Sequence, residues 1–266
     1  MTYLRRIPPK SDRDEPLRLS CPLLHARGTY SNEVPEPDSQ PDKTMLLYRF
    51  LTAEYGLDSI KNRKLKFARI MDLNDPFEFI GVKDPNPRLQ EALCKNKESM
   101  SKKTGVLCFS ATWKNPLLWS HYANKHKGIC LGLDVPEEFC AQIHYVDSRL
   151  DVPDGFGHPS ANQLAHKEAH AFMKKLIHTK FSHWKYEEEY RVWVTPESPG
   201  KGDFIGFDAA CLTLKKVILG TKSEVTYTDV LDSLGNTYSG VKVFNAKPSW
   251  TSFKMEIDEM QPPSVK

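Results

Sequence analysis

The stretch WKYEEEYRVW, residues 184–193, places three successive glutamates, Glu187, Glu188 and Glu189, inside a run of aromatics and valines that otherwise reads as a β-strand. Glutamate is depleted in strands and adjacent like charges repel, so the run needs a reason. Strand side chains alternate between faces. Lys185, Glu187, Glu189, Arg191 and Trp193 then share one side, and Tyr186, Glu188, Tyr190, Val192 and Val194 the other. Two readings fit the charged side. It is a solvated face whose Lys and Arg neutralise the glutamates, or it is a paired-carboxylate site held on a rigid strand.

Working outward, an amphipathic helix is expected over residues 160–181, and GDFIGF, LKKVILG and VKVFN are expected strands downstream, with a short helix near 228–234. Upstream, MLLYRFL at 45–51 reads as a strand, and Thr52 can cap a helix that starts AEYGLDSIK. KLKFARI, GVLCFS, ICLGLD and AQIHYV read as further strands, NDPF as a turn and residues 87–103 as a polar helix. In NPLLWSHYANKHKG, Asn115 is a natural N-cap, Pro116 suits the first helical position and Gly128 is a fitting stop. Helices early and antiparallel-looking strands late indicate an α+β domain over 45–266. Residues 1–44 carry seven of the nineteen prolines among polar residues, which predicts a disordered or extended N-terminal arm.

A chain of 266 residues with 39% hydrophobic content can bury a sizeable core, and its formal charge of +3 does not by itself point to nucleic acid or a membrane. Six scattered cysteines without C-x-x-C spacing are the usage of a reducing compartment. No apolar run is long enough to span a bilayer, so a cytoplasmic protein is expected.

Phosphate-loop, dinucleotide-fold and hydrolase-elbow signatures are missing from the sequence. His166 and His170, with His178 and His183 beyond them, have a spacing that suits zinc, yet Lys167 stands where a zinc protease needs Glu. Asp72, Asn74 and Asp75 suit a magnesium site or an ordinary turn. Trp119, Ser120, His121, Tyr122 and His126 crowd one short helix; Trp119 and Tyr122 are either core or a flat surface for a heteroaromatic ligand.

Taken together, FARIMDLNDPFEF, GVLCFS, NPLLWSHYANKHKGICLGLD, WKYEEEYR and KKVILG resemble the prokaryotic family catalogued as domain of unknown function 2971, over about residues 46–220. The layout is also similar to the ADP-ribosyltransferase superfamily. GVLCFS with a helix ending in SHY resembles one branch's second motif, and EEYRVW resembles its glutamate strand. That resemblance implies a mostly antiparallel split β-sheet core with flanking helices, and NAD as substrate with no metal. It implies Arg49 as the first-motif residue, Glu189 as the catalytic carboxylate and Glu187 as the acceptor-positioning carboxylate. Either Tyr122 or Ser110 is then the second-motif residue; His121, Trp119 and Arg191 join them around the cofactor.

Such chemistry passes through an oxocarbenium-like state that a nearby carboxylate stabilises, so Glu189 must be ionised, with Arg191 or Lys185 keeping it so. Arg49 would fork around a diphosphate oxygen. The implied activity is transfer to a protein or nucleic-acid acceptor, or NAD glycohydrolysis, as in a toxin or anti-phage effector. Two other functions fit the residues. One is a metal-dependent nuclease using Asp72, Asp75, Glu187 and Glu189 with His121 or Lys180; the other is a non-catalytic module that binds nucleotide, peptide or RNA.

Overall fold

Apolar runs become strands and the polar stretches between them become capped helices in the computed structural model, which describes residues 43–154, 156, 163–195 and 202–258. The expected arm lies outside these residues except for 43 and 44. Along the chain, β1 (Thr44–Leu51) leads to α1 (Ala53–Lys61), β2 (Lys64–Lys66), β3 (Ala68–Arg69), β4 (Val82–Lys83) and α2 (Pro87–Lys103). Then come β5 (Gly105–Ser110), α3 (Pro116–Tyr122), β6 (Ile129–Pro136), β7 (Ala141–Gln142), β8 (His144–Val146) and β9 (Leu150–Asp151). Helix α4 (Gln163–Ile177), β10 (Thr179–Phe181) and β11 (Glu189–Val194) follow. The last elements are β12 (Phe204–Gly206), β13 (Thr213–Leu219), α5 (Tyr227–Leu234), β14 (Lys242–Pro248) and β15 (Met255–Asp258).

One curled sheet organises the molecule, in the order β15-β14-β13-β6-β1-β5-β11-β7, with β3 also paired to β5. It is antiparallel except for β13 and β14, which run parallel and are joined through α5. Side chains of β1 alternate between two cores, as period-two geometry requires. Leu47 packs with Leu131, Leu133 and Val217 under Ile60 of α1 and Val230 of α5. Tyr48 packs on the other side with Cys130 and Ile218 under Trp119 of α3. The α+β expectation therefore stands at the level of a mixed fold with a mostly antiparallel sheet.

The ladder parts between β1 and β5. Strand β1 pairs with β6 along its whole length but meets β5 only where Tyr48 faces Ser110. Strand β5 continues instead along β11, and its far end takes β3. Arg49 spans the gap, donating from Nη1 to the Cys108 carbonyl at 3.0 Å and from Nη2 to the Lys66 carbonyl at 2.5 Å.

Several expectations are corrected. The glutamate stretch is not one strand: Ser182–Glu187 form a 3₁₀ helix, Glu188 is left-handed at φ 44°, and the strand starts at Glu189. Of the face expected to carry charge, only Lys185 is exposed: Glu187, Glu189 and Arg191 are 5%, 4% and 0% exposed. KLKFARI divides into β2 and β3, which join different sheets, and AQIHYV divides into β7 and β8 in the same way. Helix α3 stops at Tyr122, well before Gly128, because Asn124, Lys125 and His126 all have positive φ. Gly128 serves close approach: a Cβ there would lie 2.1 Å from the Leu51 carbonyl oxygen. Helix α4 ends at Ile177 rather than 181, and its expected start at 160 lies outside the described residues.

Candidate functional site

Where β1 and β5 part, a cavity of about 240 Å³ opens to solvent. Arg49 comes to it from β1, Cys108 and Ser110 from β5, Tyr122 from the end of α3, and Glu187 and Glu189 from the turn into β11. Registry explains the convergence, because Ser110 of β5 faces Tyr48 on one side and Glu189 on the other. The left-handed Glu188 is exposed between Glu187 and Glu189, which are buried and both line the cavity, the same in-out-in order that an uninterrupted strand gives by alternation.

Glu189 is caged by cations. Arg191 donates from Nε to Oε1 at 2.7 Å and from Nη2 to Oε2 at 3.1 Å, and Lys180 donates to Oε2 at 3.1 Å. Burial would raise its pKa, but Arg191 and Lys180 outweigh burial and hold the carboxyl well below the usual carboxylate range. Arg191 also donates to both oxygens of Glu78, at 3.0 and 2.5 Å, and to the Ile177 carbonyl at 3.1 Å. Lys185 is exposed and takes no part in the cage. The backbone N–H of Glu189 donates to the Tyr145 hydroxyl at 2.8 Å, which fixes the start of the strand.

Glu187 is held differently. Lys180 donates to Oε2 at 2.6 Å, and the Tyr122 hydroxyl donates to Oε1 while accepting from Asn74 Nδ2 at 2.7 Å. Burial pushes the Glu187 pKa above the ordinary carboxylate value despite Lys180 and Tyr122. Burial and the neighbouring Glu187 push the Tyr122 phenol far up, so it stays protonated. Lys180 remains protonated because Glu189, Glu187 and Glu78 together outweigh its burial.

With all groups ionised, Glu78, Glu187 and Glu189 against Lys180 and Arg191 leave one negative charge in the cluster. Arg49, another lining residue, has no carboxylate within ion-pair distance among the described residues, and its buried Nε lacks a hydrogen-bond partner. Arg49 and the Glu187–Glu189 pair thus line one cavity, the first from β1 and the second from the entry to β11.

Apart from Asp72, the remaining sequence candidates fall elsewhere. Trp119 is fully buried core, with Nε1 donating to the Trp113 carbonyl at 2.7 Å and its ring edge-on to Phe50, so it does not line the cavity. His121 is exposed and lies outside the lining, 6.1 Å from the Tyr122 and Tyr186 rings. Asp72 reaches the cavity, whereas Asp75 is buried and accepts the Phe77 N–H at 2.9 Å, which is turn chemistry. His178 is buried as a neutral ring, accepting from Trp193 Nε1 at 3.0 Å, with its pKa lowered by burial to about 4. His183 is exposed, and the His166 side chain lies outside the described residues. Among the described residues, no group of three or more His, Cys, Asp or Glu is arranged to hold a metal ion.

Sequence reasoning missed Glu78, and it named Lys180 only as an assisting residue of the nuclease reading. An acid between Phe77 and Phe79, and a lysine between Thr179 and Phe181, were the available signals. Comparison with known protein families, with curated proteins and with solved structures finds no match to this chain.

Proposed function

We propose that the cavity is the active site of an ADP-ribosyltransferase-like enzyme that breaks the nicotinamide–ribose bond of NAD, and that the chain is a divergent relative of that superfamily and of the family of domain of unknown function 2971. The observation that carries this reading is the Glu187–Glu189 pair, one carboxylate locked in its ionised form by Arg191 and Lys180, lining the same cavity as Arg49. In this reading Arg49 takes a diphosphate oxygen and Glu189 supplies the fixed negative charge that an oxocarbenium-like ribose needs. The carbon–nitrogen bond breaks with its electron pair leaving on nicotinamide. A bond forms from the acceptor oxygen to the same ribose carbon, and the acceptor's proton is released.

Small-molecule sites commonly measure about 300–1,000 Å³. At about 240 Å³ the open cavity suits the reacting nicotinamide riboside end, with the remainder of the dinucleotide lying outward. The nuclease reading has less support, because Lys180 already bridges the two carboxylates that would bind the ion and Asp75 is engaged in its turn.

Nicotinamide release from NAD, followed with a chelator present, tests the proposal. Glu189→Gln, shown folded by circular dichroism, is expected to lower the rate by about 100-fold or more, the scale of losing one electrostatic stabiliser. Equal release by the variant would sink the assignment.

A further inference from the structure

Lys180 touches all three buried carboxylates, with Nζ 2.6 Å from Glu187, 3.1 Å from Glu189 and 3.5 Å from Glu78. Arg191 reaches only Glu78 and Glu189. The result is an uneven pair. An ionised carboxylate offers about four acceptor sites. Those of Glu189 receive three N–H donors, all from cations. Those of Glu187 receive one cation, Lys180, and one neutral hydroxyl, Tyr122, which Asn74 holds in turn.

We infer that Lys180 is a positioning residue that divides the work of the two carboxylates: it completes the cage that keeps Glu189 a permanent anion and turns Glu187 toward Tyr122, so that the Glu187–Tyr122 pair is the proton acceptor of the site. The identity of the proton donor rests on the NAD reading above; the division of charge does not. Within that reading, the acceptor's O–H proton passes to the Glu187 carboxylate as the acceptor oxygen bonds to the ribose carbon and nicotinamide departs. Glu187 then gives the proton to solvent.

The groups facing Glu187 are Lys180 from β10, Tyr122 from α3, Glu189 from β11, Tyr145 from β8 and Tyr186 from its own 3₁₀ turn. Lys180 also faces Glu78 and the Trp184 ring, with Nζ 4.9 Å from the ring centre. Burial and Glu189 raise the Glu187 pKa, whereas Lys180 and Tyr122 lower it. Removing either of the latter two must therefore raise it further. Activity that needs Glu187 ionised rises with pH through this pKa, so its acid limb must follow.

Protein labelled with ¹³C at the glutamate carboxyls, titrated by NMR without any nucleotide, tests the division of charge; Glu187→Gln identifies the Glu187 signal. Lys180→Met is expected to move the Glu187 midpoint up by about one pH unit or more, the effect of losing an adjacent opposite charge. Lys180→Arg is expected to stay near wild type, and Tyr122→Phe to move up by less. An unmoved or lowered midpoint in Lys180→Met overturns the proposal. If Lys180→Met does not fold, an unmoved midpoint in Tyr122→Phe overturns it instead. In parallel, the acid limb of nicotinamide release should shift with the midpoint; a limb that stays while the midpoint moves overturns Glu187 as proton acceptor. Failure of the NAD reading is separate, and shows as no release by wild type although the midpoints shift as expected.

Discussion

Arg191 carries a full positive charge at 0% exposure, which is tolerable only because Glu78, Glu189 and the Ile177 carbonyl meet its N–H groups. A buried ion pair adds little over a well-packed apolar replacement, but removing one partner strands the other charges away from water. Arg191→Met is therefore expected to cost about 3–5 kcal/mol in urea denaturation, and adding Glu78→Gln to recover part of that loss. A double variant less stable than the single one would show that Glu78 does not depend on Arg191. The family resemblance nominated Arg49, Ser110, Tyr122, Glu187 and Glu189, all of which line the cavity, whereas strand alternation, a local signal, offered only the Glu187–Glu189 pair. The partnership of Arg191 with Glu78 was not legible, since it joins residues 113 positions apart and nothing in either neighbourhood announces the other. Trp119 was ambiguous for the opposite reason: an aromatic on a short helix serves core and ligand equally well until the packing is known.

At the scale of elements, most strands and caps were legible from composition, and Asn115 shows why. Its Oδ1 accepts the Leu117 N–H at 3.0 Å, the N-cap bond that the Asn-Pro sequence predicts. What the sequence hid is the other end of the same side chain: Nδ2 donates to the Tyr186 carbonyl at 3.0 Å and ties α3 to the turn that delivers Glu187. The break at Glu188 was hidden too, because a left-handed residue between two inward-pointing glutamates leaves the same alternating pattern as a continuous strand. Asn115→Ala is thus expected to cost about 1 kcal/mol of stability for the cap and, in addition, to slow nicotinamide release severalfold by loosening the Tyr122–Glu187 contact. Thr226→Ala removes a cap of similar worth at α5, which packs on the other side of the sheet, and serves as control. Equal activity in the two variants at matched stability would show that the link to Tyr186 does not matter.

The whole molecule places the Glu187–Glu189 pair on one side of the parting in its sheet and Arg49 on the other, and the guanidinium reaches across it to carbonyls and not to a carboxylate. A ligand that brings an anion to Arg49 while presenting a ribose to Glu187 and Glu189 would bridge the parting and couple the β1–β6 side to the β5–β11 side. Binding to the folded state alone stabilises by RT ln(1 + [L]/Kd), about 2.7 kcal/mol at 100 Kd. For a chain of this size that corresponds to a rise of roughly 5–10 °C in Tm. ADP-ribose is expected to give such a rise in wild type, measured by differential scanning calorimetry, with chelator present. Arg49→Met will itself lower the Tm, because it loses the bonds to Cys108 and Lys66, so the quantity to compare is the increment on adding ligand. That increment should vanish in Arg49→Met and be smaller in Arg49→Lys, whose point charge cannot fork around a diphosphate. An increment that survives Arg49→Met would place the anion elsewhere and separate Arg49 from the site; pyrophosphate alone, raising Tm in wild type but not in Arg49→Met, would show that the anion contact forms before the ribose is engaged.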